Sequence, residues 1–79
     1  MNMKISMGEL NRGQKAAVLS VDTKCSSFNR DLAILGLVPG TQIECLLKYG
    51  DISCYLIRGS RIALQNSFLN EVLVYLKED

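Results

Sequence analysis

The second half of the chain alternates most clearly between apolar and polar residues. From Thr41 to Tyr49, Ile43, Cys45, Leu47 and Tyr49 share one parity, and Gln42, Glu44, Leu46 and Lys48 share the other. This is the period of a half-buried strand. Gly50-Asp51 then reads as a hairpin turn, and Ile52 to Arg58 as the next strand. In that strand Ser53, Tyr55 and Ile57 oppose Ile52, Cys54 and Leu56, so an inward Tyr55 and Ile57 turn Cys54 outward. Gly59-Ser60 leads into a strand at Arg61 to Leu64. Asn66 or Ser67 caps one helical turn through Asn70, and Val72 to Leu76 is a final strand.

The first half is less regular. Met3 to Gly13 reads as a lead-in, with Ser6 and Glu9 at capping-box spacing around one helical turn. Asn11-Arg12-Gly13 reads as a turn. Gln14 to Asp22 is a strand candidate with apolar residues on both parities: Ala16 and Val18 against Ala17, Leu19 and Val21. That predicts a central or doubly covered strand. Ser26 or Ser27 caps a helix to Leu35, whose stripe is Phe28, Leu32 and Leu35. Gly36 stands where a left-handed residue ends a helix, and Leu37 follows where a contact back to the last turn is common. Val38-Pro39-Gly40 closes a tight turn.

The expectation is mainly β: a small barrel of about five strands with a short helix after the first strand. An open sheet with a helix on one face is the alternative. The 79 residues make one domain, 1–79, with a core over about 7–76. Leu32, Leu35, Ile43, Ile62, Leu64 and Val74 are the core candidates. No apolar run approaches the length of a membrane span.

Charge and composition remove several functions. Nine basic and eight acidic residues give +1 and a pI near 7.7, which is not the strongly basic balance of a nucleic-acid module. Without histidine there is no Ser-His-Asp or Cys-His catalysis and no mixed Cys-His zinc site. Lys15, Lys24, Lys48 and Lys77 lie at loops or on polar faces, and nothing brings Glu44 and Asp51 together as an acid pair. No Gly-Lys-Ser/Thr follows the Gly36–Gly40 segment, so it is not a phosphate loop. The reading is therefore not an enzyme and without a cofactor.

The three cysteines are Cys25, Cys45 and Cys54. An odd count behind a polar N-terminus points to free thiols and the cytoplasm. Cys45 lies on a core parity. Cys25, before the helix, and Cys54 are the two candidates for a weakly bound transition metal. A protein-interaction module fits better, with Leu37, Val38 and Pro39 in the turn and Tyr49 near the hairpin as contact residues. Gly36, Pro39 and Gly40 form the structural corner beneath them.

The run Leu35-Gly36-Leu37-Val38-Pro39-Gly40-Thr41, followed by Ile43 and Cys45, resembles the Leu-Gly-apolar-x-Pro-Gly-x core of the FeoA family. That family comprises the small ferrous iron transport protein A chains, and related domains end many metal-dependent repressors. Gly50-Asp51, the Gly59 to Leu64 segment and Asn70 to Val74 resemble its later landmarks, and Leu10, Gly13 and Ala17-Val18 its opening. Asp31 and Gln65 stand where the family often has basic residues, and Ile52 where it has Pro. The resemblance implies an SH3-like barrel and a cytoplasmic accessory role in bacterial ferrous iron uptake. The implied partner is the cytosolic GTPase region of ferrous iron transport protein B. The rival readings are an iron chaperone or metal-bridged dimer, and an RNA-binding small barrel.

Overall fold

A computed structural model describes residues 3–21 and 26–77. Six strands form one antiparallel sheet: β1 (Met3–Ser6), β2 (Lys15–Val21), β3 (Gln42–Tyr49), β4 (Ile52–Ile57), β5 (Ser60–Gln65) and β6 (Val72–Lys77). Their order is β1-β6-β2-β3-β4-β5, rolled into a small SH3-like barrel. Helix α1 (Ser26–Leu35) joins β2 to β3, and the single turn α2 (Asn66–Leu69) joins β5 to β6.

The sequence pattern gives five strands and the structure has six. The extra one, β1, lies in the segment read as a lead-in, so the helix follows the second strand. Four residues are too short for a periodic signal. Met3–Ser6 becomes a strand through its pairing with β6, Met3 opposite Leu76 and Ile5 opposite Val74. The predicted turn after it is present at Met7–Glu9 as a 3-10 turn, where Glu9 Oε2 accepts from the Ser6 N–H at 3.0 Å.

Two bulges explain where the parities mislead. In β2, Val18 pairs with Val74 but Ser20 pairs with Leu73, leaving Leu19 as the extra residue. One inserted residue moves everything beyond it to the other face. Val21, opposite Val72, therefore packs against the core that Ala16 and Val18 already enter. The strand is central, but its mixed parity comes from the bulge. In β3, Leu46 is the extra residue between the Cys45–Tyr55 and Leu47–Cys54 pairs. Ile43 and Cys45 are buried as expected, whereas Leu47 and Tyr49 face solvent, Tyr49 at 81% exposure. Lys48 takes the inward parity opposite Ser53, and its Nζ donates to the Gly8 carbonyl at 3.0 Å.

The core holds Leu32, Ile43 and Val74 as expected, with Ile62 and Leu64 partly buried against it. Leu35 is exposed and not a core residue. Leu37, two residues on, is buried in its place, because the chain reverses at Gly36. The Phe28 side chain lies outside the described residues. Tyr55 is fully buried and donates to the Met7 carbonyl at 3.3 Å, tying the 3-10 turn to β4. Asn66 caps no helix. Its Oδ1 accepts from the buried Ser53 hydroxyl at 2.6 Å, and its Nδ2 donates to the Gly50 carbonyl at 3.1 Å, pinning the β3–β4 hairpin.

The β4–β5 hairpin has a two-residue loop, Arg58-Gly59, between the paired Ile57 and Ser60. Both loop residues have positive φ, 51° and 80°, as a type I′ turn requires. Arg58 is the one non-glycine residue with positive φ among those described. An ordinary side chain there costs about 1 kcal/mol relative to Gly or Asn. Arg58→Asn, which creates the favoured Asn-Gly turn, should raise stability by about 0.5–1 kcal/mol. The melting midpoint should rise by roughly 3–6 °C. A lower midpoint would show that the Arg58 stem contributes more by packing than its backbone costs.

Candidate functional site

The corner after α1 is built by a continuous set of backbone hydrogen bonds. Leu37 N–H donates to the Leu32 carbonyl (2.9 Å) and Gly36 N–H to the Ala33 carbonyl (3.0 Å). This is the Schellman pair that ends a helix, and it needs a left-handed residue at Gly36, whose φ is 103°. The motif favours a contact between its last residue and the third from the helix end, here Leu37 and Leu32, and both are buried. Thr41 N–H then donates to the Val38 carbonyl (3.1 Å) across Pro39-Gly40, with Gly40 at φ 93°. Proline first and a positive-φ glycine second define a type II turn. Gly40 N–H to Val18 O and Val18 N–H to Thr41 O, each 2.8 Å, fasten the corner to β2.

This geometry sorts the expected contact residues. Leu37 is 2% exposed, so it is a core residue and not a surface contact. Val38 is half-buried and Pro39 exposed. Tyr49 is fully presented, but at the far end of β3. Thr41 and Tyr49 are eight positions apart, about 25 Å of strand. The structure thus keeps Val38 and Pro39 together and puts Tyr49 elsewhere, beside its hairpin partner Ile52, which is also exposed.

A residue that the sequence pattern places at the end of a strand, ahead of a Gly59-Ser60 turn, stands instead in the hairpin loop and joins the corner. Arg58 lines a groove of about 530 Å³ with Val38, Pro39, Gly40, Thr41 and Gln42. It also lines an adjoining groove of about 320 Å³ with Lys15, Gln42, Glu44 and Leu56. Its side chain lies over Gly36, where a Cβ would sit 3.0 Å from Arg58 Cδ. In the sequence only Gly59 marks the turn, and the pairing of Ile57 with Ser60 is what puts Arg58 at its first position.

The two described cysteines, Cys45 and Cys54, do not form a metal centre with other described residues. Cys45 is buried opposite Tyr55, and burial pushes its thiol pKa up, offset in part by Lys48. Cys54 is half-buried on the outer face, between Leu47 on β3 and Ala63 on β5, neither of which ligates a metal. Cys25 lies outside the described residues. Among the described residues, no three cysteine or carboxylate side chains group to hold an ion. No helix among them is long and apolar enough to cross a membrane.

The FeoA domain model matches residues 5–76, nearly the whole chain. The chain belongs to the FeoA domain family. Solved structures agree. An FeoA-like protein from Clostridium acetobutylicum is 26% identical, with all of this chain and 93% of that one aligned at a TM-score of 0.86. FeoA of Stenotrophomonas maltophilia, solved with zinc, is 27% identical over 89% of this chain and 88% of its own, at 0.80. That protein is described as a prokaryotic SH3 domain protein and a candidate ferrous iron transport activating factor. The T. acidophilum repressor IdeR shares the fold at 0.83 and 19% identity, over 94% of this chain and 34% of its own. No curated protein matches by sequence.

Proposed function

We propose that this FeoA-family protein is a cytoplasmic accessory factor of ferrous iron uptake. It acts by contact with the GTPase region of ferrous iron transport protein B and transforms no substrate. The observation that carries this reading is the family match across 5–76. The Val38-Pro39 corner, half-buried at Val38, exposed at Pro39 and held rigid by two turns, is the contact surface we assign. Rigid turns lose little entropy on docking, so a small apolar contact there is effective. Tyr49 and Ile52 form a separate exposed pair at the other end of β3.

Calorimetric titration into the transporter's GTPase region, with and without nucleotide, tests the reading. The expected Kd is about micromolar or tighter in at least one nucleotide state. Val38→Asp should weaken it by about fivefold or more, by placing an unpaired charge in an apolar contact. No heat in any nucleotide state would overturn the proposal. Unchanged affinity in Val38→Asp would move the contact to the Tyr49–Ile52 end.

The zinc complex of the S. maltophilia relative favours a second reading, direct transition-metal binding. In this chain it would run through Cys54, with further ligands from Cys25 or a second copy. Zinc binding that disappears in Cys54→Ser and on thiol alkylation would support it.

A further inference from the structure

One row of side chains crosses the outer face of the sheet. Register places Lys77 on β6 opposite Lys15 on β2, Lys15 opposite Glu44 on β3, Glu44 opposite Leu56 on β4, and Leu56 opposite Arg61 on β5. Lys15 and Lys77 are like charges directly across a strand pair, an arrangement that destabilises a sheet. Arg58 projects from the adjoining hairpin into the same groove. Its backbone is strained, and no described residue pairs with its guanidinium. Lys15, one half of that like-charge pair, and the left-handed Arg58 both line one groove. Strain of this kind clusters where a ligand uses it.

We propose that the Lys15–Arg58 groove receives an acidic segment of a partner protein. A carboxylate would sit between Arg58 and Lys15, and the neighbouring apolar residue of the segment would sit on Val38 and Pro39. The inference rests on the accessory reading and deepens it, by naming the chemistry of the contacted segment. Charge complementarity selects the occupant. Among the described residues, Lys15 and Arg58 line the groove with a single acid, Glu44, and the arginine fork suits a carboxylate in two-point contact. A nucleic acid fits less well. Its closely spaced phosphates would meet Glu44, no aromatic side chain among the described residues lines either groove to stack a base, and one wall is Val38 and Pro39.

Arg58→Asn is the decisive variant, because Asn suits the turn and the fold is kept. Amide chemical shifts are followed while a hexaglutamate peptide is added, at about 0.05 M and about 0.5 M salt. The expected shifts cluster at Lys15, Gln42, Glu44, Arg58 and Gly59 and disappear at high salt. Affinity should fall about fivefold or more in Arg58→Asn. Shifts elsewhere on the protein, or equal affinity in the variant, would overturn the assignment. So would a single-stranded oligonucleotide that binds the groove more tightly than hexaglutamate at equal salt. The transporter's GTPase region separates this inference from the reading beneath it. Equal binding of wild type and Arg58→Asn leaves the accessory role standing and removes the groove. Binding of hexaglutamate as expected, with no binding of the GTPase region to either protein, removes the transporter and keeps the groove.

Discussion

Replacing Gly36 by Val should destabilise the protein by about 2–4 kcal/mol. Two costs add. The first is conformational. A φ of 103° lies beyond even the left-handed region that Asn tolerates, and a β-branched residue is the worst fit there. The second is steric. A Cβ at Gly36 would meet Arg58 Cδ at 3.0 Å and Nε at 3.2 Å, with Ile57 Cγ2 at 3.3 Å. The Arg58 contact is with a flexible stem that can swing away, but Ile57 is a buried core residue and cannot. For a chain of this length the total stability is on the order of 4–12 kcal/mol. The midpoint should therefore fall by roughly 10 °C or more in thermal unfolding. The two costs separate experimentally. In an Arg58→Asn background the cost of Gly36→Val should shrink by the Arg58 part and keep the conformational part. Equal stability of Gly36→Val and wild type would refute the Schellman cap.

Gly36 also shows what local chemistry makes legible. The helix end, the type II turn at Pro39-Gly40 and the hairpin at Gly50-Asp51 are each dictated by a few adjacent residues. The sequence therefore locates the corner and its family resemblance directly. The β3–β4–β5 meander is equally legible, because alternation and turn residues agree. What escapes is set by distant partners. β1 is a strand only because β6 lies beside it. Leu19 and Leu46 are bulged residues with no local mark, and each silently inverts the parity after it. Leu47 thus reads as core-facing by alternation yet is exposed, and Lys48 points toward the Gly8 carbonyl. Leu35 and Leu37 exchange roles for a related reason. The helical stripe assigns Leu35 to the core, but the cap reverses the chain and sends Leu37 in. Of the candidate site, Val38 and Pro39 are visible in the sequence. Arg58 is not, because its groove is assembled from β2, β3 and the β4–β5 turn, three elements that meet only in the fold.

Tyr55 should make the protein lose stability in alkali, between about pH 10 and 12. The ring is fully buried, and burial pushes its phenol pKa up to about 12, with the Ser53 hydroxyl offsetting part of the rise. The sign follows from where the proton is held. In the unfolded chain the phenol ionises near its usual value of about 10. Below that pH both states keep the proton, and the full contribution of the neutral phenol is present. Above it the unfolded state gains charge that the folded state resists until pH reaches the folded pKa. Stability therefore falls as pH rises through this window, by up to about 2–3 kcal/mol for a two-unit difference. Tyr55→Phe isolates the effect. Near neutral pH the variant should be about 1 kcal/mol less stable, because the buried Met7 carbonyl loses its donor. In strong alkali the order should reverse, since Phe has nothing to ionise. Denaturant unfolding of the pair at closely spaced pH values reads the crossing directly. Parallel curves through pH 12 would mean that the phenol ionises without unfolding the chain and that water reaches Tyr55 in the native state.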